Sequence, residues 1–189
     1  LEQACGLLRD ISPQPELTDT FLLRHDARNL KALLKARILG VKPEGLSRCG
    51  TIPLDVMRHA VTERDYKKLP EILRQAMVAL EKQVALDVDP MAIDVRLDQA
   101  LYSEIASRMK TSGSLPAKRY FEAKADFHNA VALLRLNRIP DQQLRLSDFL
   151  LPGGTVGKRQ WQAIAAAPET LPNAFKAYDA RLRDKLRLA

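Results

Sequence analysis

The sequence predicts an all-α protein built from internally duplicated helical bundles. Three observations predict this class: apolar residues recur at helical spacing, prolines and N-cap residues mark several helix starts, and one helical segment recurs one hundred residues later. Strict alternation of apolar and polar residues over the length of a strand is hard to find. There is no run of eighteen or more apolar residues, so no segment is expected to span a membrane.

The first part of the chain contains signals for four helices. A long helix covers residues 21–39, a shorter one follows Pro53, and Pro70 opens the third, after a loop at residues 41–51. Asp89-Pro90 places an N-cap residue and a first-position proline at the start of the fourth. Apolar residues then follow at four-residue steps and define one face of that helix: Ile93, Leu97, Leu101, Ile105 and Met109.

The remaining helices have similar start signals. Leu115-Pro116 introduces a helix that runs to about Arg138, and a short helix follows Gly157. Pro172 opens a last helix, which ends in the mixed charges of residues 181–185. We predict loops at residues 111–115 and 147–157, where helical spacing of apolar residues stops.

An internal repeat is the most informative feature of the sequence. Residues 21–39 match residues 121–139 at an offset of one hundred without a gap. Six residues recur unchanged: Phe21, Asp26, Asn29, Ala32, Leu33 and Leu34 correspond to Phe121, Asp126, Asn129, Ala132, Leu133 and Leu134. Downstream, Gly50-Thr51-Ile52-Pro53 corresponds to Gly154-Thr155-Val156-Gly157. We therefore predict two repeat units, residues 1–88, which are incomplete at the N-terminal side, and residues 89–189.

The repeated polar pair lies beside an apolar stripe. Asp26 and Asn29 share a helix face with Leu22 and Leu33, because steps of four, three and four return to one side of a helix. Buried polar groups need hydrogen-bond partners. One interpretation is a catalytic aspartate assisted by the asparagine. We favour a pair that bonds to a neighbouring helix or loop, because catalytic residues seldom occur twice at corresponding places.

Other candidate sites lack the residues that their chemistry needs. The glycine-rich segment 153–158 departs from a phosphate-binding loop, since no strand precedes it and Arg159 follows its lysine. The three histidines are isolated and no Cys-x-x-Cys is present, so metal ligands are missing. Asp94 and Asp98 lie one turn apart, a spacing that suits acid chemistry but also the edge of an amphipathic helix. We predict no catalytic residue, no cofactor and no metal.

Composition limits the possible partners and the compartment. The formal net charge of +7 permits nucleic acid, an anionic membrane surface or an acidic protein as a partner. Aromatic residues make up only 5%, which supplies few stacking platforms for single-stranded nucleic acid. A basic helical nucleic-acid-binding module stays open as the alternative function. Two cysteines, Cys5 and Cys49, are interpreted as reduced thiols of a cytosolic protein.

Several segments resemble the V-type ATP synthase C-subunit family, which includes the d subunit of the eukaryotic V-ATPase. Residues 21–37 resemble its D-x-x-N-[LI]-K-x-[LI]-L-[KR]-x-[KR] helix, and residues 50–53 resemble the loop that follows. Residues 97–102 resemble its L-D-x-x-[LY]-Y helix, and residues 126–135 resemble its second D-x-x-N segment. The order and spacing agree over roughly the whole chain. The family has about three pseudo-repeats and we find two, so we expect flanking segments to be missing.

The resemblance implies a mechanical function. In this family the protein is a non-catalytic, funnel-like helical socket of the central stalk. It rests on the cytoplasmic face of the membrane rotor ring of proteolipid subunits, receives the central shaft, and couples proton or sodium transport to shaft rotation. The implied protein is cytoplasmic and peripheral, holds no nucleotide and binds no nucleic acid.

Four basic residues at helix ends are candidates for partner binding: Lys35, Arg37, Arg135 and Arg138. Cations near a helix C-terminus also interact favourably with the helix dipole, and for any one of these residues we favour that role. Taken together, the four are predicted to form part of a basic rim that faces an acidic or polar partner surface.

Overall fold

The computed structural model describes residues 2–85, 89–139, 145–175 and 178. These residues form nine α-helices and one short 3₁₀ turn, and they contain no strand, which confirms the all-α prediction. None of the described helices is long and apolar enough to cross a bilayer. The chain divides into two compact units.

The first unit covers residues 1–113 and contains five helices. They are α1 (Glu2–Ile11), α2 (Pro15–Leu39), α3 (Leu54–Glu63), α4 (Glu71–Val84) and α5 (Pro90–Thr111). Helix α1 was not predicted, although Cys5, Leu8 and Ile11 follow one another at three-residue steps; of these three only Cys5 is buried. Helix α2 starts six residues earlier than predicted, with Pro15 at its first position, and Gly40 ends it in the left-handed region at φ 65°.

The second unit covers residues 114–189. Its described helices are α6 (Leu115–Leu136), α7 (Leu146–Phe149), α8 (Lys158–Ala166) and α9 (Leu171–Ala174), with a 3₁₀ turn at Pro168–Thr170. The single turn α7 stands at the start of the segment predicted to be a loop. Pro172 lies in the first turn of α9, and the predicted continuation into residues 181–185 lies outside the described residues.

The predicted cap of α5 is present. Asp89 Oδ1 accepts a hydrogen bond from the Met91 N–H (2.8 Å), and Pro90 follows as the first helical residue. Helix α6 has a similar cap, in which Ser114 Oγ accepts from the Ala117 N–H (3.4 Å). Both side chains satisfy donors that the first turn of a helix leaves without intrahelical partners.

Each unit has its own apolar core. In the first unit, α2, α3, α4 and α5 all contribute to the main cluster, whose largest fully buried residues are Leu30, Leu34, Met57, Met77, Leu80, Ile93 and Leu97. In the second unit, the core consists of Ala130, Leu133, Leu146, Val156, Trp161, Ile164, Leu171 and Phe175. The long helices α2 and α6 therefore each supply apolar residues to a separate cluster.

Helix α5 belongs to the first unit in space. It packs against α2 and α4, and Ile93 and Leu97 are buried in the same cluster as Leu30 and Leu34. The boundary between the compact units therefore lies between residues 113 and 114, whereas the predicted boundary between the repeat units lies between residues 88 and 89. The boundary at residues 88/89 stays a prediction, because it concerns where the duplicated sequence segments begin and end.

The two cysteines form a disulfide, and the prediction of reduced thiols was wrong. Cys5 lies on α1 and Cys49 lies in the loop between α2 and α3, with their Cα atoms 5.5 Å apart. Both are buried beside Leu22 of α2. A sequence separation of 44 residues gave no sign of this proximity, because it depends on how α1 packs against α2.

We expect Cys49→Ser to lower the free energy of unfolding by about 2–4 kcal/mol relative to the oxidised protein, because the crosslink restricts the unfolded chain. Urea unfolding with and without a reductant measures the difference. Cys5→Ser should give the same loss, and the double variant should lose nothing further. A single variant as stable as the oxidised wild type would contradict the prediction.

Candidate functional site

The carboxylate of Asp26 holds the loop that connects α2 to α3. The Thr51 N–H and hydroxyl donate to Asp26 Oδ2 (2.9 and 2.8 Å), and the Ile52 N–H donates to Oδ1 (3.1 Å). Asp26 is completely buried, so three donors replace the water that the charged group has lost. Backbone donors cannot be read from side-chain identities, which explains why the sequence did not name the partners of Asp26.

Asn29 fixes the same loop at a second point. Its Nδ2 donates to the Ser47 carbonyl oxygen (2.7 Å), and the Ser47 N–H donates to Asn29 Oδ1 (2.9 Å). The amide thus satisfies one donor and one acceptor of the same backbone residue. We call Asp26, Asn29 and the loop residues that they bond the first clamp.

Gly50 is required by the close approach of the loop to Asp26. A Cβ atom at position 50 would stand 2.0 Å from Asp26 Oδ1 and 2.9 Å from its Cγ. Those distances leave no room for any other residue, and the φ of Gly50 is outside the left-handed region. The glycine of the repeated Gly-Thr motif is therefore needed for space rather than for backbone freedom.

Hydrogen bonds are the main interactions that favour the charged form of Asp26, and the charge interaction with His25 makes a smaller contribution in the same direction. Burial raises the pKa of the Asp26 carboxyl above its ordinary value, while the backbone donors of Thr51 and Ile52 and the Thr51 hydroxyl act in the opposite direction. No ion pair of the described residues involves this carboxylate. If the loop opened, the buried Asp26 carboxylate would lose its hydrogen-bond donors, and the N–H groups of Thr51 and Ile52 would lose their acceptor.

The second unit repeats the arrangement residue by residue. The Thr155 N–H and hydroxyl donate to Asp126 Oδ2 (2.8 and 2.7 Å), and the Val156 N–H donates to Oδ1 (3.2 Å). Asn129 Nδ2 donates to the Leu151 carbonyl (3.0 Å), and the Leu151 N–H donates back to Asn129 Oδ1 (2.7 Å). We call this set the second clamp.

The second clamp differs from the first by one additional donor. The Tyr178 hydroxyl donates to Asp126 Oδ2 (2.5 Å) and lies 3.0 Å from Thr155 Oγ1. Burial, followed by this hydrogen bond to the carboxylate, raises the pKa of the Tyr178 hydroxyl well above its ordinary value. The ring of Tyr178 also contacts Phe127 and Phe175, so a chain segment beyond α9 is tied to the clamp.

Both clamps suit a structural role. Their carboxylates and amides are buried and already hydrogen-bonded within the protein, and no described group of histidine, cysteine and acidic side chains could hold a metal ion. The hydrogen bonds agree with the interpretation that each polar pair bonds to a neighbouring loop. Both carboxylate oxygens of Asp26 and of Asp126 accept hydrogen bonds from the loop.

The repeated leucines do not share one environment. Leu33 and Leu34 are both buried in the core of the first unit. In the second unit Leu133 is 1% exposed, whereas Leu134 is 39% exposed. Identical residues at an identical offset therefore have different roles, because the neighbours of α2 and α6 differ.

Lys35 pairs with the acidic edge of α5. Its Nζ lies 2.7 Å from Asp94 Oδ1, and one turn earlier Lys31 Nζ lies 2.7 Å from Asp98 Oδ1. Asp94 and Asp98, considered above as a possible acid pair, are therefore ion-pair partners on the edge of an amphipathic helix. These two contacts join α2 to α5 beside the buried leucines.

Arg37 joins three helices of the first unit. Its guanidinium donates to the Val61 carbonyl and to Glu81 Oε1, each at 2.5 Å, and the Tyr66 hydroxyl donates to the same Glu81 oxygen. Burial alone would lower the pKa of Arg37, but the bonds to Glu81 and Tyr66 outweigh it and raise that pKa. Burial and the contact with Glu81 raise the pKa of Tyr66 to about 12. Arg37 is thus part of the internal structure.

Arg135 and Arg138 have different surroundings from Lys35 and Arg37. Both lie on the exposed surface at the C-terminal end of α6, and no ion pair is formed by either within the described part of the chain. Of the four cations predicted to share a basic rim, two therefore form ion pairs within the first unit and two are exposed in the second.

Comparison with known proteins gives one family. The family model described as ATP synthase (C/AC39) subunit matches residues 1–184. This range includes both clamps and all the described helices. Searches of curated proteins and of solved structures give no match.

Proposed function

The chain belongs to the ATP synthase (C/AC39) family, and from this membership we propose that it is a non-catalytic socket that couples the membrane rotor ring to the central shaft. Membership confirms the resemblance found in the sequence and assigns the protein to a V/A-type ATP synthase. In the proposed role it transmits torque during proton or sodium transport. It rests peripherally on the cytoplasmic face of the membrane, and its partners are the proteolipid ring and the shaft proteins.

The observation that carries this proposal is the duplicated clamp. A protein that transmits torque must resist deformation where its chain reverses between helices. In each unit the loop after the long helix is fixed at two points by side chains buried in that helix. Such loops have fewer accessible conformations than loops held only at their ends, so each helical unit moves as a stiff body.

The absence of a catalytic role is part of the same proposal. The polar residues that recur in both units are hydrogen-bonded to the loops, and the proposed role requires no cofactor. Charge also favours a protein partner, because basic residues on the helices are interspersed with acidic ones, which form ion pairs in the described residues.

We expect Arg135→Glu with Arg138→Glu to weaken co-purification with the rotor ring, because both cations are exposed at the surface and the substitution turns attraction to an acidic partner into repulsion. Native mass spectrometry after affinity capture measures the recovery of ring and shaft proteins. A matched control is Arg119→Glu with Arg159→Glu, which makes the same change in charge at exposed positions of the same unit.

Two outcomes would contradict the proposal in different ways. If the double variant folds and captures the ring at ordinary strength, these arginines do not contribute to the docking surface. If the wild-type chain captures neither ring nor shaft but binds random DNA with an affinity that falls by orders of magnitude between about 50 and 200 mM salt, the nucleic-acid-binding alternative is correct.

A further inference from the structure

The outward face of α6 carries an exposed apolar stripe. Tyr120, Phe127, Val131 and Leu134 are between 39% and 49% exposed, and steps of seven, four and three residues place them on one side of the helix. We call these four residues the α6 stripe. Large side chains aligned in this way are more informative than the same number scattered over a surface, because contiguous apolar area marks a contact site.

The charges beside the α6 stripe all have the same sign. Lys124 and Arg135 lie on this side of α6, and Arg138 follows two residues after the helix ends at Leu136. Lys124 Nζ lies 5.7 Å from the centre of the Tyr120 ring. The two acidic residues of α6 are used elsewhere: Asp126 is buried in the second clamp, and Glu122 pairs with Lys118 (3.8 Å). An apolar partner with acidic edges would match this face.

The first unit shows what covers the corresponding face of α2. At the offset of one hundred, Phe127 and Leu134 correspond to Ala27 and Leu34, which are completely or almost completely buried. Helix α5 packs on α2 here, with Ile93 and Leu97 in the cluster that contains Leu34. The equivalent positions of α6 are each 39% exposed, although their side chains are no smaller and the Phe127 ring is partly covered by Phe175 and Tyr178 of its own unit.

Helix α5, which packs on this face of α2, also carries the acidic residues that pair with the lysines of α2. Asp94 and Asp98 stand one turn apart on α5 and pair with Lys35 and Lys31, each at 2.7 Å. Lys35 corresponds to Arg135 in the repeat, whereas Lys31 corresponds to Val131. The second cation is instead Arg138, two residues beyond the end of α6, so the pair of cations is displaced towards the C-terminal end of the helix.

We propose that the α6 stripe binds an amphipathic helix of a partner protein, which carries two carboxylates one turn apart beside its apolar residues. The carboxylates pair with Arg135 and Arg138, and the apolar residues cover Phe127, Val131 and Leu134. The inference rests on the proposed function for the existence of a protein partner, and it adds the surface and the chemistry of the contact.

The probe is a fluorescent peptide with the sequence of residues 89–112, which contains α5 and its cap. Fluorescence anisotropy should show saturable binding to the full chain. Arg135→Glu should weaken binding roughly five- to tenfold, because an ion pair becomes a repulsion. Val131→Glu, which places a charge in the α6 stripe, should weaken it at least as much. Arg119→Glu, an exposed position on another side of α6, should leave it unchanged.

A charge swap separates specific docking from general attraction to a basic surface. A peptide with Asp98→Lys should bind the wild-type chain weakly and regain affinity for the Arg135→Glu chain. In the first unit the more C-terminal cation, Lys35, faces the more N-terminal carboxylate, Asp94, so the same direction of packing pairs Arg138 with Asp94 and Arg135 with Asp98. Thermal melts establish that each variant is folded. The conservative Arg135→Lys should bind the wild-type peptide nearly as well as the original chain.

Several results would overturn the inference. The first is the absence of saturable peptide binding, and the second is peptide binding that neither Arg135→Glu nor Val131→Glu weakens. The third is that Val131→Glu abolishes self-association of the chain, or its binding to phosphatidylserine vesicles, but leaves peptide binding intact. If the peptide fails to bind but the chain still captures the ring, the inference fails and the proposed function stands. If the peptide binds as expected and neither ring nor shaft is captured, only the proposed function fails.

Discussion

We expect Asp26→Ala to lower the free energy of unfolding by about 3–5 kcal/mol. The substitution removes the acceptor of the Thr51 and Ile52 N–H groups and of the Thr51 hydroxyl, inside a region closed to water. Each buried donor left without a partner costs about 1–3 kcal/mol, and two backbone donors are affected. Urea unfolding measures the total, and amide exchange at Thr51 and Ile52 shows that the loss begins in the loop.

The glycine opposite the carboxylate provides a sharper test of the first clamp. Gly50→Ala alone should be strongly destabilising, because its Cβ would lie 2.0 Å from Asp26 Oδ1. With Asp26→Ala that atom is gone, so the double variant should lose clearly less stability than the sum of the two single losses. Strict additivity, or an Asp26→Ala effect no larger than that of the exposed Asp10→Ala, would show that the clamp does not hold the loop.

The second large effect is expected in the core of the other unit. Leu133→Ala should cost about 2–5 kcal/mol, because it opens a cavity in a cluster that includes Trp161 and Phe175. Trp161 is the only tryptophan of the chain, so its fluorescence reports unfolding of this unit selectively. Leu33→Ala should have an effect of similar size in the first unit, measured by circular dichroism.

The adjacent leucine is the matched control for this prediction. Leu134→Ala removes the same atoms from the same helix but from a side chain that is 39% exposed, so its cost should be well below that of Leu133→Ala. Leu34→Ala, at the equivalent position of α2, should be as damaging as Leu33→Ala because both residues are buried there. Equal effects of Leu133→Ala and Leu134→Ala would show that the orientation of α6 is different from the one described.

The sequence by itself determined the all-α class, the main helix starts and the duplicated segment. These features depend on local chemistry: a proline at a first helical position, an aspartate that caps α5, and apolar residues at helical spacing. The steps of four, three and four between Leu22, Asp26, Asn29 and Leu33 also placed the polar pair of α2 beside its apolar stripe. Four sequence motifs in order indicated the resemblance to the family, which the match to the family model over residues 1–184 confirmed.

Only the tertiary structure decided which partner each residue has. Cys5 meets Cys49, and Arg37 meets Glu81, across 44 residues in each case, because α1 and α4 pack on or near α2. The packing of α5 on α2 buries Leu34, whereas the equivalent Leu134 stays exposed. Repetition in a sequence fixes the residues of a helix, but burial and pairing depend on the helix that packs against it, and that neighbour lies far away along the chain.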